Sequence, residues 1–312
     1  MRKSVLFLAT SVVVLSMFSF TSCKKKDGVF NPEERLYKVH YQSSVHHGTT
    51  GETKIDPKEL RELWRWDKKK LAHIESGRGW IMYFTYEGNQ VSKIEIGEEK
   101  VINFSYDKTD LTKIEVLDAK SRSEVIITIV ERDDRKILKF TSETFSYDDD
   151  SKMNKNLCSQ LLSIMQIVFS DHTAQTVCEN ITSAKAHKAN SSTISTIELT
   201  YVGNNVEKQK VTETIGGVSI SKTTVFEYDS KKNPYYEALH FLYAAALSGQ
   251  SENNVVRYYD EDDHDNVETS VKYEYEYSGD YPSKRTTKFE QTNIMGSKDT
   301  YSEVYFYEYQ QK

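Results

Sequence analysis

The strongest constraint on the fold of this chain is a repeat of 20 residues between Leu63 and Glu115. Each of three units contains an aromatic residue, a short polar turn, an aliphatic residue and then an isoleucine three positions later. A strand that ends at an aromatic residue and returns with aliphatic side chains after a polar turn is typical of a β-hairpin. One hairpin cannot bury its apolar face alone, so the units are expected to stack side by side. The shared positions are Trp66, Tyr86 and Tyr106, then Leu71, Val91 and Leu111, then Ile74, Ile94 and Ile114.

Later parts of the chain repeat this pattern more loosely. The segment 200–208 closely resembles 85–93. Tyr273, Tyr275 and Tyr277 alternate with charged residues, a period of two that places the rings on one face of a strand. The sequence therefore predicts an all-β fold, an antiparallel meander of repeated hairpins curved into a barrel-like or half-barrel sheet. Most tyrosine rings are expected in the core, and an exposed face that stacks on sugars is the alternative.

Two short helical insertions are predicted in this sheet domain, which covers residues 56–312. They lie at about 154–180 and 233–249, where apolar residues recur at helical spacing. The first contains Cys158 and Cys178, an even pair that indicates a disulfide in an exported protein, with two buried free thiols as the alternative. Both insertions are expected to cover one end of the sheet as a plug. A gate for a ligand is the other interpretation.

The first residues are typical of an export signal. Two basic residues precede an apolar run at 5–20, which is too short and wrongly flanked for a permanent membrane span. The run ends in the sequence FTSC, which looks like the lipobox of bacterial lipoproteins. We therefore predict a signal peptide at 1–22, lipidation at Cys23 and a flexible tether at 23–55. An ordinary signal peptide and an uncleaved anchor are the alternatives.

The charge balance and the motifs argue against several functions. Removing residues 1–22 takes away two basic residues and no acidic ones, so the net charge falls from −6 to −8, which disfavours nucleic acid as a partner. The chain has no nucleophile elbow, phosphate-binding glycine loop or paired Cys-x-x-Cys motif, so no enzyme activity and no cofactor are predicted. The acidic segment 261–265 and the pair His46 and His47 lack the spacing and rigidity of a metal site, and no metal is predicted.

The hairpin signature is accompanied by two further segments, DSKKNPYY at 229–236 and SENNV at 251–255. Together they resemble a family of Bacteroidota lipoproteins of unknown function with a porin-like fold, distantly similar to YD/RHS-type repeats. The resemblance covers most of residues 56–312, and it carries no catalytic residue across. It implies a curved, barrel-like sheet on an outer-membrane lipoprotein. The lysines after Cys23 differ from the acidic export signals of surface lipoproteins, which favours the periplasmic face.

The expected function is that of a non-enzymatic cell-envelope lipoprotein, attached to the membrane by its N-terminal lipid, that acts as a binding or assembly module. A carrier that shelters an apolar or glycan ligand inside a half-open barrel is the second hypothesis. A hydrolase is the third hypothesis. Carboxylates are plentiful, but no pair of them can be singled out as catalytic. An apolar lumen favours the carrier, and a filled interior favours the module.

Overall fold

The chain folds into antiparallel strands, which a computed structural model describes over residues 27, 29, 32–98, 100–118, 123–134, 136–146, 193–215, 218–236, 251–261, 267–292 and 296–310. Seventeen strands lie within these ranges. In chain order they are β1 (Arg35–His46), β2 (Thr53–Ile55), β3 (Glu59–Asp67), β4 (Lys70–Ser76), β5 (Ile81–Glu87), β6 (Gln90–Ile96), β7 (Lys100–Asp107), β8 (Asp110–Asp118), β9 (Ser123–Asp133), β10 (Lys136–Ser146), β11 (Thr193–Val202), β12 (Asn205–Ile215), β13 (Val218–Lys232), β14 (Asn253–Glu261), β15 (Val267–Ser278), β16 (Tyr281–Thr292) and β17 (Lys298–Gln310).

The strands close into a barrel. From β3 to β17, each strand pairs with the next one along the chain. β1 completes the ring, since it pairs with β17 over its whole length and with β3 as well. The three-residue β2 also pairs with β1, beside its C-terminal end, so sixteen of the seventeen strands form the ring itself. Within the described strands the ring leaves no open sheet edge for another chain to pair with.

Side chains alternate between an apolar inner face and a polar outer face of the barrel. On β5, Met82 and Phe84 are buried inside, whereas Tyr83 and Thr85 are exposed outside. Buried residues from most of the strands form one hydrophobic cluster that runs around the inside. The outer face carries ion pairs between neighbouring strands, among them Arg65–Glu75, Lys139–Glu198, Arg257–Glu227 and Lys284–Glu276.

The aromatic residue of each repeat donates a hydrogen bond to the backbone of the preceding strand in the barrel. The hydroxyl of Tyr86 donates to the main-chain carbonyl of Leu71 at 2.7 Å, and Tyr106 donates to Val91 at the same distance. The pairing of the two strands in each hairpin is interrupted by a β-bulge next to the accepting residue. The tyrosine hydroxyl supplies a hydrogen bond to a main-chain carbonyl at this bulge. Burial raises the pKa of both tyrosines, which therefore remain protonated donors. Equivalent bonds, from a tyrosine O–H or the Trp66 indole N–H to a main-chain carbonyl, join Trp66 to Leu36, Tyr201 to Ile137, Tyr228 to Val206, Tyr275 to Val255 and Tyr309 to Pro282.

We call this set of bonds the aromatic ladder. It lies at one end of the barrel, the end that carries the short turns of the repeat hairpins, and we call this the hairpin end. The opposite end is called the mouth. The ladder explains why the repeat requires an aromatic residue with a donor at a fixed place: the ring fills the core, while its polar atom satisfies a backbone group.

The all-β meander of repeated hairpins is confirmed, while two details differ from the prediction. The sheet is a closed barrel, so the half-barrel is wrong. The predicted tether at 23–55 is wrong over 35–46 and 53–55, which form β1 and β2. The β1 segment has few apolar residues, but Leu36 and Val39 are 1% and 0% exposed because β17 and β3 pair with the two sides of β1.

Several predictions fall on residues outside the described ranges. These are the insertion at 154–180 with both of its cysteines, most of the insertion at 233–249, and Cys23. At the start of the second insertion, the side-chain oxygen of Asn233 accepts a 3.1 Å hydrogen bond from the amide of Tyr235. Over the described part of the chain, no helix has the length and apolar character needed to cross a membrane.

Candidate functional site

The inner wall of the barrel has an aliphatic sector and an aromatic, charged sector. In the aliphatic sector, from β4 to β9, side chains such as Leu71, Ile74, Val91 and Ile94 have no exposed surface. In the second sector, which runs from β13 through β17 to β1 and β3, tyrosines predominate. Buried with them are the polar side chains of Glu62, Asp260, Arg285, Thr287 and Glu303.

A row of rings and cations crosses the second sector, and we call it the aromatic–arginine belt. The ring of Tyr258 lies 6.2 Å from the ring of Tyr273, which is followed across the sheet by Arg285 and then Tyr305. Tyr305 contacts Tyr41 edge-on, with ring centres 5.2 Å apart. Each element of the row comes from a different strand, and the closure of the barrel through β1 and β3 brings Tyr41 and Arg61 to its end beside Tyr305. Its members are Phe226, Tyr258, Tyr273, Arg285, Tyr305, Tyr41 and Arg61.

Arg285 occupies the middle of this belt. Its guanidinium carbon lies 4.3 Å from the ring centre of Tyr305 and 5.2 Å from that of Tyr273. The residue is 9% exposed, and its Nε is fully buried with no hydrogen-bond acceptor. Desolvating a guanidinium costs several kcal/mol, whereas a ring contact returns about 1 to 2 kcal/mol. The rings therefore offset only part of the cost of burying this charge, and no described side chain forms an ion pair or a hydrogen bond with it.

Glu62 is one of the buried acids of this sector. It is 2% exposed and accepts a 2.8 Å hydrogen bond from the indole N–H of Trp64. Burial raises the pKa of Glu62 to about 7, although the Trp64 hydrogen bond and the charges of Arg61 and Arg285 oppose this shift. Close to neutral pH this carboxyl group therefore changes between a neutral and a charged form inside the barrel.

Burial of the inward side chains decreases along β16 from the centre of the barrel towards the mouth. Arg285 and Thr287 are buried, Phe289 is half-buried and Gln291 is exposed. At the mouth the rings of Phe289 and Tyr301 are stacked, with centres 5.2 Å apart and planes 7° from parallel. The belt thus lies below an aromatic pair that is partly open to water.

The hairpin end is closed by the two segments that carried the family resemblance. The side-chain amide of Asn233 donates a 3.0 Å hydrogen bond to the main-chain carbonyl of Ser251, which joins the segments. Next to this bond, Tyr235 is 5% exposed and packs 6.1 Å from Trp64 and 6.3 Å from Tyr307. These segments therefore insert an aromatic ring beneath the belt, and their role in the fold is structural.

The residues considered as metal ligands do not come together. His46 bonds to the hydroxyl of Thr53 at 2.9 Å, while His47 lies 3.5 Å from a carboxylate oxygen of Asp299. Of the acidic segment 261–265, the structure describes only its first residue. No group of three or more His, Cys, Asp or Glu side chains that could hold a metal ion occurs among the residues that are described.

Sequence reasoning missed Arg285 and Glu62, a buried cation and a buried acid of this sector. Arg285 stands in a run with Lys284 and Lys288, which looks like a solvated strand face. The period of two would have separated Arg285 from both lysines, but only the barrel closure shows which face points inwards. For Glu62, the two tryptophans that follow at 64 and 66 were the available signal, because all three positions share one face of a strand.

The strands that the structure describes form a closed barrel, sixteen of them in the ring, with an apolar and aromatic interior. No family model matches the sequence, and no curated protein matches it. Among solved structures, the chain is similar to a porin-like protein from Bacteroides vulgatus ATCC 8482, with a TM-score of 0.46, 10% identity and coverage of 90% of this chain and 100% of that chain. It is also similar to a porin-like protein from Bacteroides uniformis ATCC 8492, with a TM-score of 0.36, 9% identity and coverage of 91% and 100%. The barrel architecture described above rests on the strand pairings of this chain itself.

Proposed function

We propose that this chain is a non-enzymatic lipoprotein of the cell envelope, and that its barrel is a binding module which stands in water rather than in lipid. The observation that carries the proposal is the distribution of polarity across the barrel wall. Ion pairs such as Lys139–Glu198 and Arg257–Glu227 lie on the outer face, and apolar side chains lie inside. A barrel that crosses a membrane has the opposite arrangement, with an outer apolar band about 25 Å tall and a polar interior.

Attachment to the membrane is assigned to a lipid on Cys23. Stable anchoring requires two acyl chains or one chain with a basic patch, and a lipidated cysteine followed by three lysines meets this requirement. We place the protein at the outer membrane, on the periplasmic face. The support for this location is the sequence resemblance and the absence of acidic residues directly after the cysteine.

The anchor is tested by the variant Cys23→Ala, followed by membrane fractionation and mass spectrometry of the mature N-terminus. We expect the natural chain in the membrane fraction with an acylated cysteine and the variant in the aqueous fraction. Ser22→Ala keeps a small residue before the cysteine, so this control should remain lipidated. Membrane retention of Cys23→Ala would contradict the anchor.

The same variant tests whether the barrel stands in water. A barrel with a charged outer face should be recovered without detergent and remain monodisperse in size-exclusion chromatography. A barrel that spans the bilayer would aggregate unless detergent is present. This readout is separate from the lipid analysis, so the two parts of the proposal can fail independently.

A carrier for a ligand inside the barrel is the second candidate. The buried interior argues against a wide open lumen, at least along the aliphatic sector, where the side chains have no exposed surface. The specific observation in favour of a carrier is Arg285, a buried cation whose Nε has no acceptor and which lies below the half-buried ring of Phe289.

A further inference from the structure

We propose that the aromatic–arginine belt binds a ligand that bears a carboxylate on a planar or apolar body, with the carboxylate on the guanidinium of Arg285. This inference deepens the proposed function and rests on it in one respect, that the barrel is a binding module rather than a membrane pore. The site is assigned from the placement of Arg285, from its ring neighbours and from the route to the mouth.

The first argument is the state of the guanidinium. Arginine carries five N–H donors and a permanent charge. In this structure the side chain has two ring contacts, with Tyr305 and Tyr273, and it makes no ion pair or hydrogen bond with the described residues. Nε is fully buried without an acceptor, while the side chain keeps 9% of its surface exposed. A planar acceptor with two oxygens is the group that matches these donors.

The second argument concerns the charge of the ligand. Arg61 contacts the same Tyr305 ring at 5.7 Å, so two cations of the belt lie against one ring. They are opposed by the carboxyl groups of Glu62 and Glu303, which are 2% and 8% exposed. A dianion such as phosphate would meet repulsion from both acids, whereas a single negative charge is matched by Arg285. The balance of charges therefore favours a carboxylate over a phosphate.

The third argument concerns the body of the ligand. The rings of Tyr273 and Tyr305 flank the guanidinium, and the stacked pair of Phe289 and Tyr301 lies between this point and the mouth. Aromatic walls with phenolic edges favour a flat ring or an apolar ring face, because such groups stack on rings and lose little hydration. The ligand would thus enter with its carboxylate first and leave its body between the rings.

Isothermal titration calorimetry on the purified full chain tests the site, with benzoate as the probe. Benzyl alcohol has the same ring without the charge, and inorganic phosphate has the charge without the ring. We expect benzoate to bind at least tenfold more tightly than either of the others. Equal dissociation constants for benzoate and benzyl alcohol would overturn the proposal, and tighter binding of phosphate would overturn the assignment of the ligand class. These comparisons need no variant.

A variant then locates the site. Arg285→Met retains the length of the side chain and removes the charge, and we expect it to weaken benzoate binding at least tenfold. The matched control is Arg257→Met, because Arg257 also lies over a tyrosine ring, at 4.7 Å from Tyr259, but on the outer face. Unchanged binding by Arg285→Met, or an equal loss in Arg257→Met, would contradict the site. The calorimetry tests only the ligand site, whereas the fractionation of Cys23→Ala tests the lipid anchor and the position of the barrel in water. Failure of one proposal is therefore distinguishable from failure of the other.

Discussion

The hydroxyl of Tyr86 lies 2.7 Å from the main-chain carbonyl oxygen of Leu71, fifteen positions earlier in the chain, and Tyr106 has the same relationship to Val91. Two consecutive repeats thus each make an equivalent hydrogen bond at the same position of the repeat. The bond links the ring of one hairpin to the backbone of the preceding hairpin. It therefore couples neighbouring repeats and acts between units rather than within them.

Removal of this hydroxyl should destabilise the barrel. Tyr86→Phe leaves a carbonyl without its donor while the ring stays in the core, so we expect a loss of about 1 kcal/mol in the free energy of unfolding. Tyr106→Phe should lose a similar amount. The control is Tyr83→Phe on the outer face, where the ring is 49% exposed. Urea denaturation measures all three variants, and an equal effect of Tyr83→Phe and Tyr86→Phe would argue against the ladder.

The hairpin turns contain residues in a strained backbone conformation. Lys68 and Lys108 have φ values of 54° and 55°, and Gly88 occupies the same turn position with a φ of 60°. A side chain at positive φ costs about 1 kcal/mol, a cost that glycine avoids. We expect Lys108→Gly to raise the free energy of unfolding by up to about 1 kcal/mol, and Gly88→Ala to lower it by a similar amount.

The matched control for the turn is Lys69→Gly, one residue after the strained Lys68, where the φ value is not positive. Glycine there adds freedom to the unfolded chain without relieving strain, so this variant should be less stable than the natural chain. Denaturant midpoints compare Lys68→Gly with Lys69→Gly directly. If Lys68→Gly and Lys69→Gly both lowered the denaturant midpoint, the positive φ of Lys68 would not be a source of strain.

The pH dependence of stability should report on Glu62. Its pKa in the folded chain is raised by burial to about 7, from 4.5 for the free side chain. The folded state therefore binds more protons than the unfolded state between these values, and stability must fall as the pH rises through this window. Glu62→Gln accepts the same Trp64 hydrogen bond without titrating. The variant should gain stability relative to the natural chain from pH 5 to pH 8, by about 3 kcal/mol at most.

The control for this experiment is Glu95→Gln, because Glu95 lies on the outer face of β6, with its side chain 43% exposed beside Lys93. This variant removes one carboxylate from the outer face and so measures the effect of a lost surface charge without burial. A Glu62→Gln curve that runs parallel to the natural one would show that the acid does not titrate inside the barrel. Urea denaturation at fixed ionic strength separates this effect from general screening.

The N-terminal segment is held by a buried ion pair. A carboxylate oxygen of Asp27 lies 2.8 Å from Nη2 of Arg132, and it also accepts a 2.8 Å hydrogen bond from the amide of Leu111. We expect Arg132→Met to cost about 2 to 3 kcal/mol, because it leaves a buried charge without its partner. Asp27→Ala combined with Arg132→Met should cost less than the sum of the two single variants.

An exposed ion pair provides the control for this double-mutant cycle. Lys139 and Glu198 are 2.9 Å apart on the outer face, with side chains that are 34% and 46% exposed. Their coupling energy should be below about 1 kcal/mol and should fall as salt is added. If the Asp27–Arg132 coupling were as small and as sensitive to salt, the N-terminal segment would not be docked as described.

The hairpins were predictable from sequence because their determinants are local. A ring, a turn and an aliphatic residue lie within nine positions in each unit, from Trp66 to Ile74 for example, and the period of two needs no knowledge of distant segments. The closure of the barrel is different. β1 pairs with β17, and a bond between Tyr41 and Glu303 spans 262 residues. No local pattern in 35–46 indicates that partner, so the sequence alone predicts a tether where the structure has β1.

The belt could not be predicted for a related reason. Its rings were expected in the core, and Tyr258, Tyr273 and Tyr305 are indeed buried. The position of Arg285 among them depends on the register that sets it opposite Tyr275 on one side and Tyr305 on the other. Register between strands is fixed by the whole ring rather than by the residues of one strand.

The docking of Asp27 has a consequence for orientation. Its amide donates a 3.0 Å hydrogen bond to the carbonyl of Thr109, which lies in a turn at the hairpin end. Four peptide units separate Asp27 from Cys23, a span of about 14 Å at most. With the proposed lipid on Cys23, the hairpin end is drawn close to the bilayer surface and the mouth points away from it. A ligand that reaches Arg285 would then arrive from the surrounding aqueous compartment rather than from the lipid beneath.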